Sequence, residues 1–173
     1  MNVEKELGIV IPKVTQGDVE AFEEFYNLTQ KYVYKIAYAI TLTKEDAEDV
    51  LQNTYLTLFK NRRKLNDNGS IMGYMKKIAV NHALKIVNNR KIKFVRTAKP
   101  DDDEEIKDVV IKALEKLDSK DRTVLSLFYL DNMKTKDISF LLNESEESVR
   151  TRLSRARVKL KEVIEDGKVW ERI

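Results

Sequence analysis

An all-α fold of two small helical modules joined by a flexible linker is what this 173-residue sequence predicts. Three observations carry it. Glycine and proline are scarce, at 5 and 2 residues, so chain breakers are few and long helices are favoured over a turn-rich sheet. Apolar residues recur at intervals of three and four along most of the chain, the period of a helix with one buried face. Charge is also segregated: residues 61–99 hold eleven Lys or Arg against one Asp, residues 100–121 nine acids against four Lys, and residues 149–173 eight bases against four acids. The net charge of +3 therefore conceals two basic regions flanking an acidic one, the pattern of two polyanion-binding surfaces joined by a segment that avoids nucleic acid.

The elements follow in order. Asp18 is placed to cap a first long helix in which Phe22, Phe25, Tyr26, Val33, Ile36, Ala37 and Ile40 recur on one side. Thr43 followed by Asp46 reads as a capping-box-like start for a second helix, whose stripe is Val50, Leu51, Thr54, Leu58 and Phe59. The Asn-Asp-Asn-Gly run at 66–69 is the clearest turn. Ser70 then caps a third helix with Ile71, Met75, Ile78, Ala79, His82 or Ala83, and Ile86 near its buried side. Three antiparallel helices would make a first module, residues 1–90. Residues 91–103, basic at first, then Pro100 and a run of acids, read as the linker.

The second module, residues 104–173, opens on Ile106, Val109, Val110, Ala113, Leu114 and Leu117, continues with Val124, Leu125, Leu127, Phe128 and Leu130, and then Ile138, Leu141 and Leu142. Asn143 suits a left-handed helix end, and Ser145 suits the cap of the last helix. There Val149, Leu153, Ala156, Leu160 and Val163 fall four, three, four and three apart, facing inward, while the remaining directions are strongly basic. A short helix, a tight turn and a basic amphipathic helix make a helix-turn-helix, a unit that enters the DNA major groove.

Composition excludes much chemistry. Without cysteine there is no disulfide, thiol catalysis or cysteine-ligated metal. His82, the only histidine, leaves a His-rich metal site without ligands and removes the commonest general base; it reads as packing or surface. A carboxylate-only magnesium site stays formally open. No Gly-rich phosphate loop or nucleophile–base arrangement is present, so no enzyme and no cofactor are expected. No eighteen-residue apolar run or signal-peptide core exists, and a soluble, cytoplasmic protein is expected.

Three residue sets are candidates for binding. On the last helix Glu146, Glu147, Arg150, Thr151 and Ser154 are best placed for base edges, and Arg152, Arg155, Arg157 and Lys159 for phosphates. On and before the third helix, Lys64, Tyr74, Lys76, Lys77, Asn81 and Lys85, with Arg62 and Arg63 nearby, combine positive charge, an amide and an aromatic ring that suit an exposed single strand. Ordinary core is the other reading of Tyr74. On the second helix Asp49, Gln52, Asn53 and Leu56 trace a mixed stripe that suits a protein partner, although Glu45, Asp46, Glu48 and Asp49 also complement the helix dipole.

Four motifs together resemble the extracytoplasmic function (ECF) group of sigma-70 family RNA polymerase sigma factors: GDVEAFEEFYNLTQKYVYKIAYAIT from Gly17, DAEDVLQNTYLTLFK from Asp46, YMKKIAVNHAL from Tyr74 and SVRTRLSRARVKL from Ser148. They stand in the family's order and spacing. The resemblance implies a region 2-like helical bundle and a region 4-like four-helix helix-turn-helix domain. It further implies that Asp49, Gln52, Asn53 and Leu56 meet the beta-prime clamp of core RNA polymerase. The segment 61–81, with Asn81 and Lys77 near a flipped base, would hold the non-template strand of a −10 element. Residues 146–157 would read a −35 duplex, and the linker would run toward the RNA exit path. Implied partners are the core polymerase, through the beta-prime clamp and the beta flap, promoter DNA, and an anti-sigma protein, membrane anchored in many relatives; no small-molecule ligand is implied.

The chain departs from that pattern at Ile71 and Tyr74, where relatives often carry a Phe and Trp pair. It departs at Leu117 and Asp118 in place of Leu-Pro, and at Asn143, Glu144 and Ser145 in place of Gly-Ile-Ser, where Glu144 either loosens the helix pair or enters a salt bridge. Two other readings stand beside it: a conventional helix-turn-helix regulator that acts without polymerase, and a helical protein-binding adaptor.

Overall fold

The computed structural model describes residues 3–64, 70–90 and 111–166, all helices and short connections. The turn expected at 66–69, the linker at 91–103, Ile106, Val109 and Val110 lie outside the described residues. The chain divides into two compact units, Met1–Lys85 and Ile86–Ile173.

The first unit contains α1 (Val3–Thr15), α2 (Val19–Thr41), α3 (Lys44–Asn61), a single 3₁₀ turn (Arg62–Lys64) and α4 (Ser70–Arg90), the last running past the unit boundary. The expected three helices are thus preceded by a fourth. Helix α1 is faint in sequence because Gly8 and Pro12 sit within its thirteen residues. It is held by tertiary contact: Val10 and Val14 are buried, and it packs against α2. The chain leaves α1 through Gly17, whose φ of +95° admits glycine, and a side chain there would collide with the Arg63 guanidinium.

Helix α2 starts as the sequence predicts, with the Asp18 carboxylate accepting from the Ala21 amide at 3.1 Å. It ends at Leu42, in the left-handed region at φ 62°, whose amide bonds back to the Tyr38 carbonyl at 2.8 Å. Thr43 is the N-cap residue of α3, but its side chain makes no capping bond, so the expected capping box is not formed. The core comprises Phe25, Val33, Ile36, Ala37 and Ile40 of α2, Val50 and Leu58 of α3, and Ile71, Met75, Ala79, Val80 and Ala83 of α4. Buried Thr29, Thr41 and Thr54 satisfy their hydroxyls on the carbonyl one turn back, at 2.6, 2.9 and 2.7 Å.

In the second unit residues 111–115 are helical (α5), followed by α6 (Ser119–Tyr129), α7 (Thr135–Leu142) and α8 (Glu146–Asp166). Asp118, the second residue of the Leu117 and Asp118 departure, caps α6 by accepting from the Lys120 amide at 3.2 Å. Helix α6 is the central element: every residue from Ser119 through Leu127 except Lys120 is buried. That includes Arg122, whose guanidinium donates to the Leu114 carbonyl at 3.1 Å; burial lowers its pKa, only partly offset by Asp118 and Glu115. Leu130, expected in the core, is 39% exposed instead, because α6 ends at Tyr129 and the chain turns away through Asn132, with φ of 51°.

The helix-turn-helix forms as its local chemistry dictates. Asn143 closes α7 at φ 54°, ψ 45°, and the Glu144 amide bonds back to the Ser139 carbonyl at 3.0 Å. Ser145 Oγ accepts from the Ser148 amide at 3.1 Å, capping α8. Val149, Leu153 and Ala156 are buried against α6 and α7, with Leu160 and Val163 half-buried.

Candidate nucleic-acid interface

Three surfaces gather the candidate residues. On α3, Asp49, Gln52, Asn53 and Leu56 are all exposed, and Leu56, at 54%, is unusually open for a leucine. They border a cleft of about 400 Å³ lined by Phe22 and Tyr26 of α2 and by Glu48, Leu51, Gln52, Tyr55, Leu56 and Phe59 of α3. Its walls are built of rings that meet edge to face: Phe22 and Phe59 centroids lie 5.0 Å apart at 74°, and Tyr26 and Tyr55 4.7 Å apart at 71°. The aromatic wall is what the sequence reading missed. Phe22 and Tyr26 belong to the apolar stripe of α2, yet both are half-buried, and their spacing of four matches that of Leu51, Tyr55 and Phe59.

On α4, Lys77, Asn81 and Lys85 are exposed at successive intervals of four, one continuous polar stripe. Lys76 lies beside the Tyr32 ring, its Nζ 5.4 Å from the centroid. Tyr74 is half-buried, and its hydroxyl accepts from Asn61 Nδ2 at 3.5 Å. The Lys64 side chain lies outside the described residues. Arg62 and Arg63 are turned to structural use: Arg62 stacks 3.7 Å above the Phe59 ring and donates to the Phe59 carbonyl, while Arg63 packs over Gly17. His82, neighbour of Asn81, places Nε2 3.1 Å from Asp49 Oδ2, tying the α4 stripe to the α3 face.

On α8, Glu147, Arg150, Thr151, Ser154, Arg155, Arg157 and Lys159 are exposed. Glu146 accepts from Thr135 Oγ1 at 2.7 Å and from Arg150 at 2.8 Å; the Thr135 hydrogen bond above all, with Arg150, lowers its pKa against the opposing effect of desolvation. Arg157 donates to the Tyr129 hydroxyl at 2.8 Å and lies over the Phe128 and Tyr129 rings, 5.2 and 5.5 Å from their centroids. Arg152 differs from the others: its side chain is 19% exposed, 3.0 Å from Asp121 Oδ1 and 2.9 Å from Glu144 Oε2. Glu144, the departure in the turn, is thus in salt bridges, with Arg152 and with Lys120 at 3.2 Å. Burial alone would raise its pKa, but the bonds from Arg152, Lys120 and Ser148 outweigh that and hold it below the usual carboxylate range.

Among the described residues no group of three or more His, Asp or Glu is placed to hold a metal ion, and no helix is long and apolar enough to cross a membrane. The fold and these surfaces define an all-α protein of two helical units whose second unit presents a helix-turn-helix with a basic outer face. Residues 25–100 match the family model for Sigma-70 region 2, and residues 107–160 that for Sigma-70 region 4. The chain belongs to the sigma-70 family of RNA polymerase sigma factors, in its ECF group. Sigma factors bind core RNA polymerase and confer promoter recognition; they are not themselves enzymes.

Among curated relatives, the chain is 23% identical to the ECF RNA polymerase sigma factor SigW of Bacillus subtilis, the match covering 90% of this chain and 95% of that one. It is 26% identical to SigM of the same organism, over 84% of this chain and 96% of that one. Two solved structures share the fold. One is CnrH in complex with the cytosolic domain of CnrY (TM-score 0.74, 19% identity, 93% of this chain and 98% of that one). The other is the sigma factor RpoE in complex with the anti-sigma factor NepR, from Bartonella quintana (TM-score 0.72, 18% identity, 85% and 98%).

Proposed function

We propose that this chain directs core RNA polymerase to its promoters by dividing recognition between its modules. Residues 1–90 dock on the beta-prime clamp through Asp49, Gln52, Asn53 and Leu56 and hold the melted −10 strand along Lys64, Tyr74, Lys76, Lys77, Asn81 and Lys85. Residues 91–103 are the linker, and residues 104–173 read the −35 element as duplex. The observation that carries this reading is the coexistence in one chain of a capped helix-turn-helix, for duplex, and a separate exposed Lys77–Asn81–Lys85 stripe, suited to a strand whose bases are free.

Division of labour follows from the chemistry of each face. A capped helix carrying Glu147, Arg150, Thr151 and Ser154 outward presents donors and acceptors to base edges, while Arg155 and Lys159 add phosphate contacts. An amide such as Asn81, flanked by lysines, binds a flipped base edge and its backbone, offsetting a few kcal/mol of lost stacking without hydrolysis. Regulation by an anti-sigma protein is part of the proposal, supported by the two fold relatives, of which one was solved with a named anti-sigma factor.

The test is whether purified core RNA polymerase, with and without this chain, selects and opens fragments of the source genome. Chain-dependent selection and opening is the expected result. Duplex preference by the chain alone, with core gaining nothing from a folded preparation, would replace this reading with that of a conventional regulator.

A further inference from the structure

We propose that Arg152 is a positioning residue of the helix-turn-helix, and not a phosphate contact: its guanidinium, clamped between Asp121 of α6 and Glu144 of the turn, sets the pose in which α8 meets a duplex. The inference rests on the sigma reading above and assigns one side chain of its duplex-reading helix a different task from its neighbours.

The geometry is specific. Arg152 directs Nη1 to Asp121 Oδ1 at 3.0 Å and Nε to Glu144 Oε2 at 2.9 Å, so two edges of its fork are engaged by carboxylates from two other elements. Asp121 is 3% exposed and Glu144 15%. Glu144 is further held by Lys120 Nζ at 3.2 Å and by Ser148 Oγ at 3.0 Å, which joins the turn to the first turn of α8. One connected set of charge-assisted bonds therefore fixes α6, the turn and α8 against one another.

Turning Arg152 outward to a phosphate would leave Asp121 buried with only Arg155, whose Nη2 stands 3.6 Å away and whose side chain is half-exposed. An uncompensated buried carboxylate costs more than one exposed phosphate contact returns. The charge of Arg152 is also already matched by carboxylates, so little counterion release is available from it. Lys159, exposed on the same helix, meets no carboxylate among the described residues and remains the better contact for a phosphate.

The experiment measures affinity of the chain–core complex for a promoter recovered by the selection above, and for the same fragment with its −35 element scrambled, across a salt series. Lys159→Gln should weaken both fragments alike and lower the slope of log affinity against log salt by about 0.9, the loss of one phosphate contact. Arg152→Gln should weaken the matched fragment by roughly tenfold, leave the scrambled one nearly unchanged and leave the slope intact. Because Arg152→Gln also strands Asp121, a second variant replaces the network by apolar groups: Asp121→Leu, Glu144→Leu and Arg152→Met together, a kind of exchange that buried ion clusters tolerate. It should recover matched-site affinity relative to Arg152→Gln, which a lost phosphate contact cannot do. Arg152→Gln behaving like Lys159→Gln, or changing nothing, or a triple variant with a lowered slope and no recovery, would overturn the assignment. Failure of the sigma reading is distinguishable, since there the wild-type complex itself shows no preference for the matched fragment.

Discussion

Hydroxyl accounting beneath the aromatic cleft makes a sharp prediction. Thr29 Oγ1 donates to the Phe25 carbonyl at 2.6 Å, so its single proton is engaged, and the Tyr55 hydroxyl 2.7 Å away must be the donor of the bond between them. Both residues are buried, at 2% and 6% exposure, and burial pushes the Tyr55 phenol above its usual range. Tyr55→Phe removes the donor and leaves Thr29 with one unfilled acceptor site, a cost of about 1 kcal/mol. Thr29→Val instead strands a buried O–H and should cost about 2 kcal/mol, the larger of the two. The double variant Thr29→Val with Tyr55→Phe removes both polar groups at nearly constant shape and should be more stable than Thr29→Val alone. Urea unfolding followed by circular dichroism, compared through midpoints at common slope, measures all three. Thr29→Val proving milder than Tyr55→Phe, or the double variant losing the sum of the singles, would refute the assigned direction of the bond.

The remaining predictions concern function and pH. Asn81→Ala should damage strand opening more than duplex engagement; equal opening by wild type and variant on one promoter would remove Asn81 from the strand-binding stripe. Asp49→Lys should reduce association with core polymerase by placing a cation beside His82 on the proposed docking face, and an unchanged association constant would exclude Asp49 from it. The Glu144 carboxyl has a folded-state pKa lowered by its partners, so its contribution to stability is complete above the ordinary carboxylate range and disappears as pH falls through the lowered value. Wild type should therefore exceed Glu144→Gln in unfolding midpoint at neutral pH, with the gap closing in acid; a gap independent of pH would show that the carboxylate charge is immaterial.

Much of the fold was legible because helix boundaries are local chemistry. Asp18, Asn143 and Ser145 act at the positions their side chains suit, since a cap needs only an oxygen near the next free amides or a residue tolerant of positive φ. Thr43 shows the limit of the same rule: the residue occupies the cap, but its side chain makes no capping bond. Helix α1 was not legible, because Pro12 and Gly8 weaken its intrinsic signal and the burial of Val10 and Val14 exists only against α2. Leu130 carried the period of a core residue, yet the helix ends one position earlier and leaves it exposed.

For the candidate surfaces, the sequence by itself determined which residue types stand on each helix face and in what order the four motifs follow, because face and order depend only on helical period and chain position. Tertiary structure alone decided which of those side chains remain available. Arg152 stands with Arg155, Arg157 and Lys159 as a phosphate contact in the helical pattern, and is set apart only where α6 brings Asp121, 31 residues away in sequence, against it. Phe22 and Tyr26 became the wall of a cleft only where α3 met them, and Asp49 gained His82 from 33 residues further along the chain. The physical reason is common to all three: helical period is written within a few residues, whereas the partner that neutralises a charge or covers a ring comes from another helix, and only packing selects it.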